Sequence, residues 1–105
     1  MKEVEPTELK KWMDEDENFE LIDVREQDEY DFANISGILI PMGQVPERVQ
    51  DIPKDKKVVV MCRSGKRSAN IINYLESSHG YENLHNLKGG ILAYSDQVDS
   101  SIPKY

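Results

Sequence analysis

The run Val58-Val59-Val60-Met61-Cys62-Arg63-Ser64-Gly65-Lys66-Arg67-Ser68 decides how this chain is read. Val58 to Met61 are consecutive apolar residues, three of them β-branched, and suit a central strand covered on both faces. Cys62 stands at the carboxyl end of that strand, and Ser64-Gly65 turns the chain. A helical pattern then runs from about Ser68, with Ala69, Ile71, Ile72 and Leu75 apolar, to a stop at His79-Gly80. A strand, a tight loop and a helix start in this order leave several backbone N–H groups without partners inside the helix. These point into the concavity above the cysteine, and the helix end adds a positive partial charge there. Arg63, Lys66 and Arg67 place three cations beside the same sulfur. Together these effects favour thiolate over thiol, so Cys62 is expected to be nucleophilic near neutral pH.

Working outward, Lys54 to Lys57 is a polar turn leading into the strand. Upstream, Pro6-Thr7-Glu8 opens a helix whose Leu9, Trp12 and Met13 share one face. Phe19 to Arg25 predicts a buried strand, Glu26 to Ala33 a short helix carrying Tyr30 and Phe32, Asn34 to Gly37 a turn, and Ile38 to Ile40 another strand. Val45 to Gln50 suggests one or two helical turns. Downstream, Leu84 to Leu87 reads as the last strand, and Gly89-Gly90 leads into a short helix holding Ile91, Leu92 and Tyr94. The segment 97–105 reads as a loosely held tail. Strands alternating with helices signal one α/β domain over residues 1–105, a parallel sheet between helical layers. Such sheets bind ligands beyond the carboxyl ends of their strands, where Cys62 is expected.

Composition narrows the function. A chain of 105 residues, 38% hydrophobic, fits one core. Its longest apolar run, around Val58 to Cys62, is far below the ~20 residues of a membrane-spanning helix. The N-terminal residues lack the apolar stretch of an export signal, so no membrane association and a cytoplasmic location are expected. A single cysteine excludes an internal disulfide and leaves too few ligands for a cysteine-based zinc cage; no metal and no cofactor are expected. With 20 acidic against 13 basic residues the net charge is −7, which argues against nucleic-acid binding. The acidic runs Asp14 to Glu17 and Glu26 to Asp31 read as solvated surface. Three cations within five positions of the only cysteine run against that background.

A thiolate flanked by cations under a short loop suits a small anionic sulfur donor such as thiosulfate. Cys62 would take the outer sulfur, sulfite would leave, and the loop N–H groups would hold the persulfide. Because the chain has no second cysteine, an external thiol or thiol protein must accept the sulfur, giving a ping-pong cycle.

Three segments together resemble the rhodanese family over nearly the whole chain. Leu21-Ile22-Asp23-Val24-Arg25-Glu26 with Glu29-Tyr30 is similar to the family's D-V-R-E-x-x-E-Y segment. Cys62 to Ser68 is similar to its C-R-x-G-x-R-S loop, and Tyr81 to Tyr94 resembles its G-Y-x-x-V-x-x-L-x-G-G-x-x-x-W ending. The resemblance implies a parallel sheet of about five strands with helices on both faces. It implies Cys62 as persulfide carrier, and Arg63, Ser64, Gly65, Lys66 and Arg67, followed by Ser68, as the substrate-binding loop. It gives Asp23 and Arg25 a supporting role, read here as a salt bridge bracing the loop in preference to direct substrate contact.

Related phosphatases and arsenate reductases use C-x5-R, whereas this chain has C-x4-R, a smaller ring suited to one sulfur atom. An arginine directly after the cysteine looks more like thiosulfate users than 3-mercaptopyruvate users. The chain departs from the family pattern at Asn34-Ile35-Ser36-Gly37-Ile38, in place of H-I-P-G-A, and at Tyr94, in place of tryptophan. Both changes leave donor specificity open. His79 and His85 read as surface or packing residues. The alternatives are a persulfide carrier or non-catalytic module and, with less support, a phosphatase or arsenate reductase.

Overall fold

The structure, a computed structural model, describes all 105 residues. Its elements are β1 (Glu3–Val4), α1 (Pro6–Asp14), β2 (Phe19–Asp23), α2 (Gln27–Phe32), β3 (Ile38–Leu39), β4 (Lys57–Met61), α3 (Lys66–His79), β5 (Leu84–Leu87) and α4 (Gly90–Gln97). Two 3-10 turns, Met42–Glu47 and Val49–Asp51, join β3 to β4. The five strands form one sheet in the order β1-β5-β4-β2-β3, every neighbouring pair parallel. The run of β-branched residues at Val58 to Val60 thus occupies the middle of the sheet, where both faces exclude water.

Alternation along β4 divides the core. Val58, Val60 and Cys62 pack on one face with Ile71, Ile72 and Leu75 of α3 and with Val45 and Ile52 from the 3-10 segment. Val59 and Met61 point to the other face, among Leu9 of α1, Ile91 and Tyr94 of α4, and Ala33 and Ile35 after α2. The period of two in the strand therefore sends the cysteine toward α3.

Three expectations change. The edge strand β1 is absent from the sequence reading, because two residues carry no readable period; it is held by β5, with Asn86 N–H donating to Lys2 O at 2.9 Å and Lys88 N–H to Val4 O at 3.0 Å. Helix α3 begins at Lys66, two residues before its apolar pattern starts, since the first turn is occupied by loop residues. The tail is not loosely held. Val98, Ile102 and Tyr105 pack against the second core cluster, and Ser95 Oγ donates to Ile102 O at 2.7 Å. No helix is long and apolar enough to cross a membrane.

Candidate active site

Cys62 leaves the end of β4 with its side chain only 1% exposed. Its sulfur is not surrounded by aliphatic groups alone. The N–H of Gly65 donates to Sγ at 3.1 Å and that of Ser68 at 3.4 Å, while Ser68 Oγ lies 3.3 Å away. The loop bends back far enough to aim these amides because Gly65 holds φ +97°, a left-handed conformation that favours glycine. No protein group accepts from the N–H groups of Arg63, Ser64, Lys66 or Arg67, which remain free around the same turn.

The loop rests on α4. Gly90 has φ +63°, and a Cβ there would fall 2.3 Å from Arg63 O and 2.6 Å from Cys62 O, so a larger residue would push the helix off the loop. In that close approach Ile91 N–H donates to Cys62 O at 3.0 Å and Leu92 N–H to Arg63 O at 3.2 Å. The Gly89-Gly90 pair, read from sequence as a helix lead-in, is also the backing of the cysteine loop.

A side-chain network lies beneath. Ser68 Oγ donates to Asn86 Oδ1 at 2.6 Å, and Asn86 Nδ2 donates to Gly65 O at 3.0 Å. Sequence reading missed Asn86. Its signal was a polar residue inside a strand otherwise apolar at Leu84 and Leu87, and the side chain is 4% exposed.

The three cations separate. Arg67 makes a two-pronged pair with Glu29 of α2, at 2.7 and 2.8 Å. Arg63 stacks on the Tyr105 ring, 5.1 Å from its centroid, and donates to Tyr105 O. Lys66 is exposed and has no ion-pair partner. Of the three cations expected beside the cysteine, Lys66 thus makes no ion pair, whereas Arg63 is shared with Tyr105 and Arg67 with Glu29. That pairing holds the Glu29 carboxyl down to about 2, against the opposing effect of burial and with help from the Tyr105 hydroxyl and the Glu26 N–H. The same hydrogen bonds to Glu29 raise the Arg67 guanidinium further above its ordinary value. Glu29, quoted above only as part of a motif, is thus a site residue that sequence reasoning left without a role.

Asp23 and Arg25 form a second pair, both fully buried, with Nη2 and Oδ2 at 2.7 Å and Nε and Oδ1 at 3.0 Å. Arg25 also donates to Ala33 O at 2.8 Å and to the Tyr105 hydroxyl at 3.0 Å. Burial works against its charge, but the hydrogen bonds to Asp23 and Tyr105 outweigh that and raise it. Neither residue bonds the cysteine loop. They brace the end of β2, which β4 adjoins through Val24 N–H donating to Met61 O at 3.0 Å.

The two departures from the family pattern resolve locally. Ser36 holds φ +66°, supported by its N–H donating to Asn34 Oδ1 at 2.9 Å. Tyr94 is buried in the second core cluster and its hydroxyl meets Met13 Sδ at 3.7 Å. The histidines pack against aromatic rings: His79 bonds the Tyr74 hydroxyl at 3.1 Å, and His85 stands edge-on to Trp12 with centroids 5.7 Å apart.

The family model for the rhodanese-like domain matches residues 5–97. The chain belongs to the rhodanese-like domain family. YtwF of Bacillus subtilis (strain 168), whose name carries a provisional sulfurtransferase assignment, is 38% identical over 93% of this chain and 94% of its own length. A protein of Allochromatium vinosum named sulfurtransferase is 37% identical over 89% of this chain and 87% of its own. Among solved structures, a rhodanese-like domain protein from Staphylococcus aureus superposes with a TM-score of 0.83 at 27% identity, covering 100% of this chain and 99% of that one. The rhodanese-like unit also occurs inside longer proteins: this chain spans only 30% of a chloroplastic rhodanese-like/PpiC domain-containing protein of Arabidopsis thaliana, at 38% identity.

Proposed function

We propose that this rhodanese-like domain is a sulfurtransferase in which Cys62 carries a sulfane sulfur as a persulfide, with thiosulfate or a similar small anion as donor. The observation that carries the reading is the pair of amides, Gly65 and Ser68, turned onto Cys62 Sγ at the start of α3. They favour the ionised sulfur, and the free loop amides with Lys66 offer an anionic donor a landing site. In the loading step the Cys62 thiolate attacks the outer sulfur of thiosulfate. The Sγ–S bond forms, the sulfur–sulfur bond of the donor breaks, and sulfite departs with the electron pair. An external thiolate then attacks the outer sulfur of the persulfide, and Cys62 leaves as thiolate. The near-complete burial of Cys62 favours a reagent that enters end-on, as thiosulfate does with its outer sulfur, over a phosphate or arsenate whose central atom would have to reach the thiolate within the short C-x4-R loop. A cytoplasmic setting, which keeps a lone thiol reduced, belongs to the same reading.

A second reading is supported by that burial: a carrier that receives sulfur from a partner enzyme and makes poor use of free thiosulfate. One experiment separates them. Incubation with thiosulfate should add ~32 mass units, one sulfur atom, to the intact protein, and Cys62→Ser should abolish the gain. No gain with thiosulfate, but a gain from a cysteine desulfurase, selects the carrier. No gain from either source overturns the persulfide reading.

A further inference from the structure

Three groups reach Cys62 Sγ, and the third differs in kind from the other two. The Gly65 and Ser68 amides can only donate. The Ser68 hydroxyl at 3.3 Å has one hydrogen and can either donate to the sulfur or accept from it. Its direction is decided by Asn86. Gly65 O is a carbonyl and accepts only, so the Asn86 group 3.0 Å from it must be the NH2 end. The other end, Oδ1, therefore faces Ser68 Oγ at 2.6 Å, and the single hydroxyl hydrogen is spent on that bond. What remains for Cys62 is a lone pair of Ser68. The network is complete when Cys62 is a thiol that donates its S–H to Ser68. Ionisation removes that donor and sets a thiolate against an oxygen lone pair, unless Ser68 rotates and leaves a buried Asn86 Oδ1 without its hydrogen.

We infer that Asn86 is a positioning residue that holds Ser68 as an acceptor toward Cys62, so that the two amides favour the thiolate while the Asn86–Ser68 pair favours the thiol. The charged groups around this sulfur are Arg63 on the loop, Lys66 and Arg67 on α3, Glu29 on α2, and the buried Asp23–Arg25 pair at the end of β2. None of them takes part in the Asn86–Ser68–Cys62 bonds. If Cys62 carries sulfur as proposed above, the consequence is a thiolate that is scarcer but more reactive when it attacks a donor, because nucleophilicity rises with basicity. The inference itself concerns only the free thiol and can be tested without sulfur transfer.

The measurement is the rate of Cys62 alkylation by iodoacetamide across pH, which reports the midpoint of thiolate formation on the free protein. Ser68→Ala removes the acceptor and should move the midpoint down by about half a pH unit, the scale of one modest hydrogen bond. Asn86→Leu frees the hydroxyl to turn and donate to the thiolate, and should move the midpoint down further, by about one unit. The double variant should fall back toward Ser68→Ala, because the hydroxyl freed by the loss of Asn86 is gone, while the bond from Asn86 Nδ2 to Gly65 O is lost in the single and the double variant alike. A midpoint that rises or stays in Ser68→Ala would mean that Ser68 donates to the sulfur or is uncoupled from it, and the inference fails. A double variant that follows Asn86→Leu instead of Ser68→Ala overturns it equally. Should Asn86→Leu not fold, the sign of the Ser68→Ala shift decides alone. A protein that titrates as inferred yet gains no sulfur from any donor would leave this result standing and remove only the functional reading.

Discussion

The Asp23–Arg25 and Glu29–Arg67 pairs are built from the same two kinds of group, yet they do different work. The first lies within a two-residue step at the end of β2, with both side chains fully buried and the guanidinium also tied to Ala33 O and Tyr105. The second joins α2 to α3 across the mouth of the loop, with its arginine 30% and its glutamate 17% exposed. Burial makes the first pair permanent: neither charge has water to return to, so it is scaffolding. Partial exposure leaves the second open to exchange: under the proposed function, an anionic donor arriving at the loop would compete with Glu29 for Arg67. The Tyr105 hydroxyl connects the two, accepting from Arg25 Nη1 and donating to Glu29 Oε2 at 2.7 Å.

The contrast breaks first at Arg25. Arg25→Ala leaves Asp23 charged, buried and unpaired, and is expected to cost about 3 to 5 kcal/mol in denaturant unfolding. Replacing both partners by apolar residues, Asp23→Leu with Arg25→Met, should recover much of that loss, because no stranded charge remains. A single variant that loses less than about 1 kcal/mol, the usual scale of an exposed pair, would place Asp23–Arg25 in the same class as Glu29–Arg67.

Glu29→Gln should cost less, about 1 to 2 kcal/mol near neutrality. Its signature is pH dependence. The carboxyl is held at about 2 in the folded protein, below the ~4.3 of an unfolded chain, so its contribution is fully present above that higher value and is lost as pH falls toward 2. The stability difference between the parent and Glu29→Gln should therefore shrink through that window, measured by thermal or urea unfolding at each pH. The same variant releases Arg67 and should lower the KM for an anionic donor. An unchanged KM would mean that Arg67 is held as firmly by its partners as Arg25 is.

Much of this is legible in the sequence, and the misses have physical reasons. Val58 to Ser68 announces strand, loop and helix because four apolar residues, a glycine turn and a helical period lie side by side. The period of two along β4 then decides which face receives Cys62. Asp23 and Arg25 are read as a pair through the family resemblance, because one motif segment holds both, and the structure pairs them at the end of β2. Glu29 and Arg67, 38 positions apart, are not, since a salt bridge between two helices leaves no trace in local spacing. Asn86 is hidden for the same reason: its partners, Gly65 and Ser68, come from another element. The tail misleads because its polar composition resembles free chain, while its anchoring rests on Val98, Ile102 and Tyr105, too far apart to form a pattern.

Lys66 sharpens the comparison from its quiet side. It is exposed at the first position of α3 and belongs to neither pair, so nothing in the fold depends on its charge. Lys66→Ala should leave unfolding within about 0.5 kcal/mol of the parent, the range for surface changes away from special features. Lys66 nevertheless opens a helix whose leading amides have no protein acceptor, so under the proposed function its positive charge would add to the field that draws an incoming anion. The variant should therefore raise the KM for thiosulfate several-fold while kcat changes little, and the difference should fade as salt is added, because an exposed charge acts through a screened field. Equal kinetics at low salt would remove Lys66 from the docking of the donor and leave that task to the loop amides.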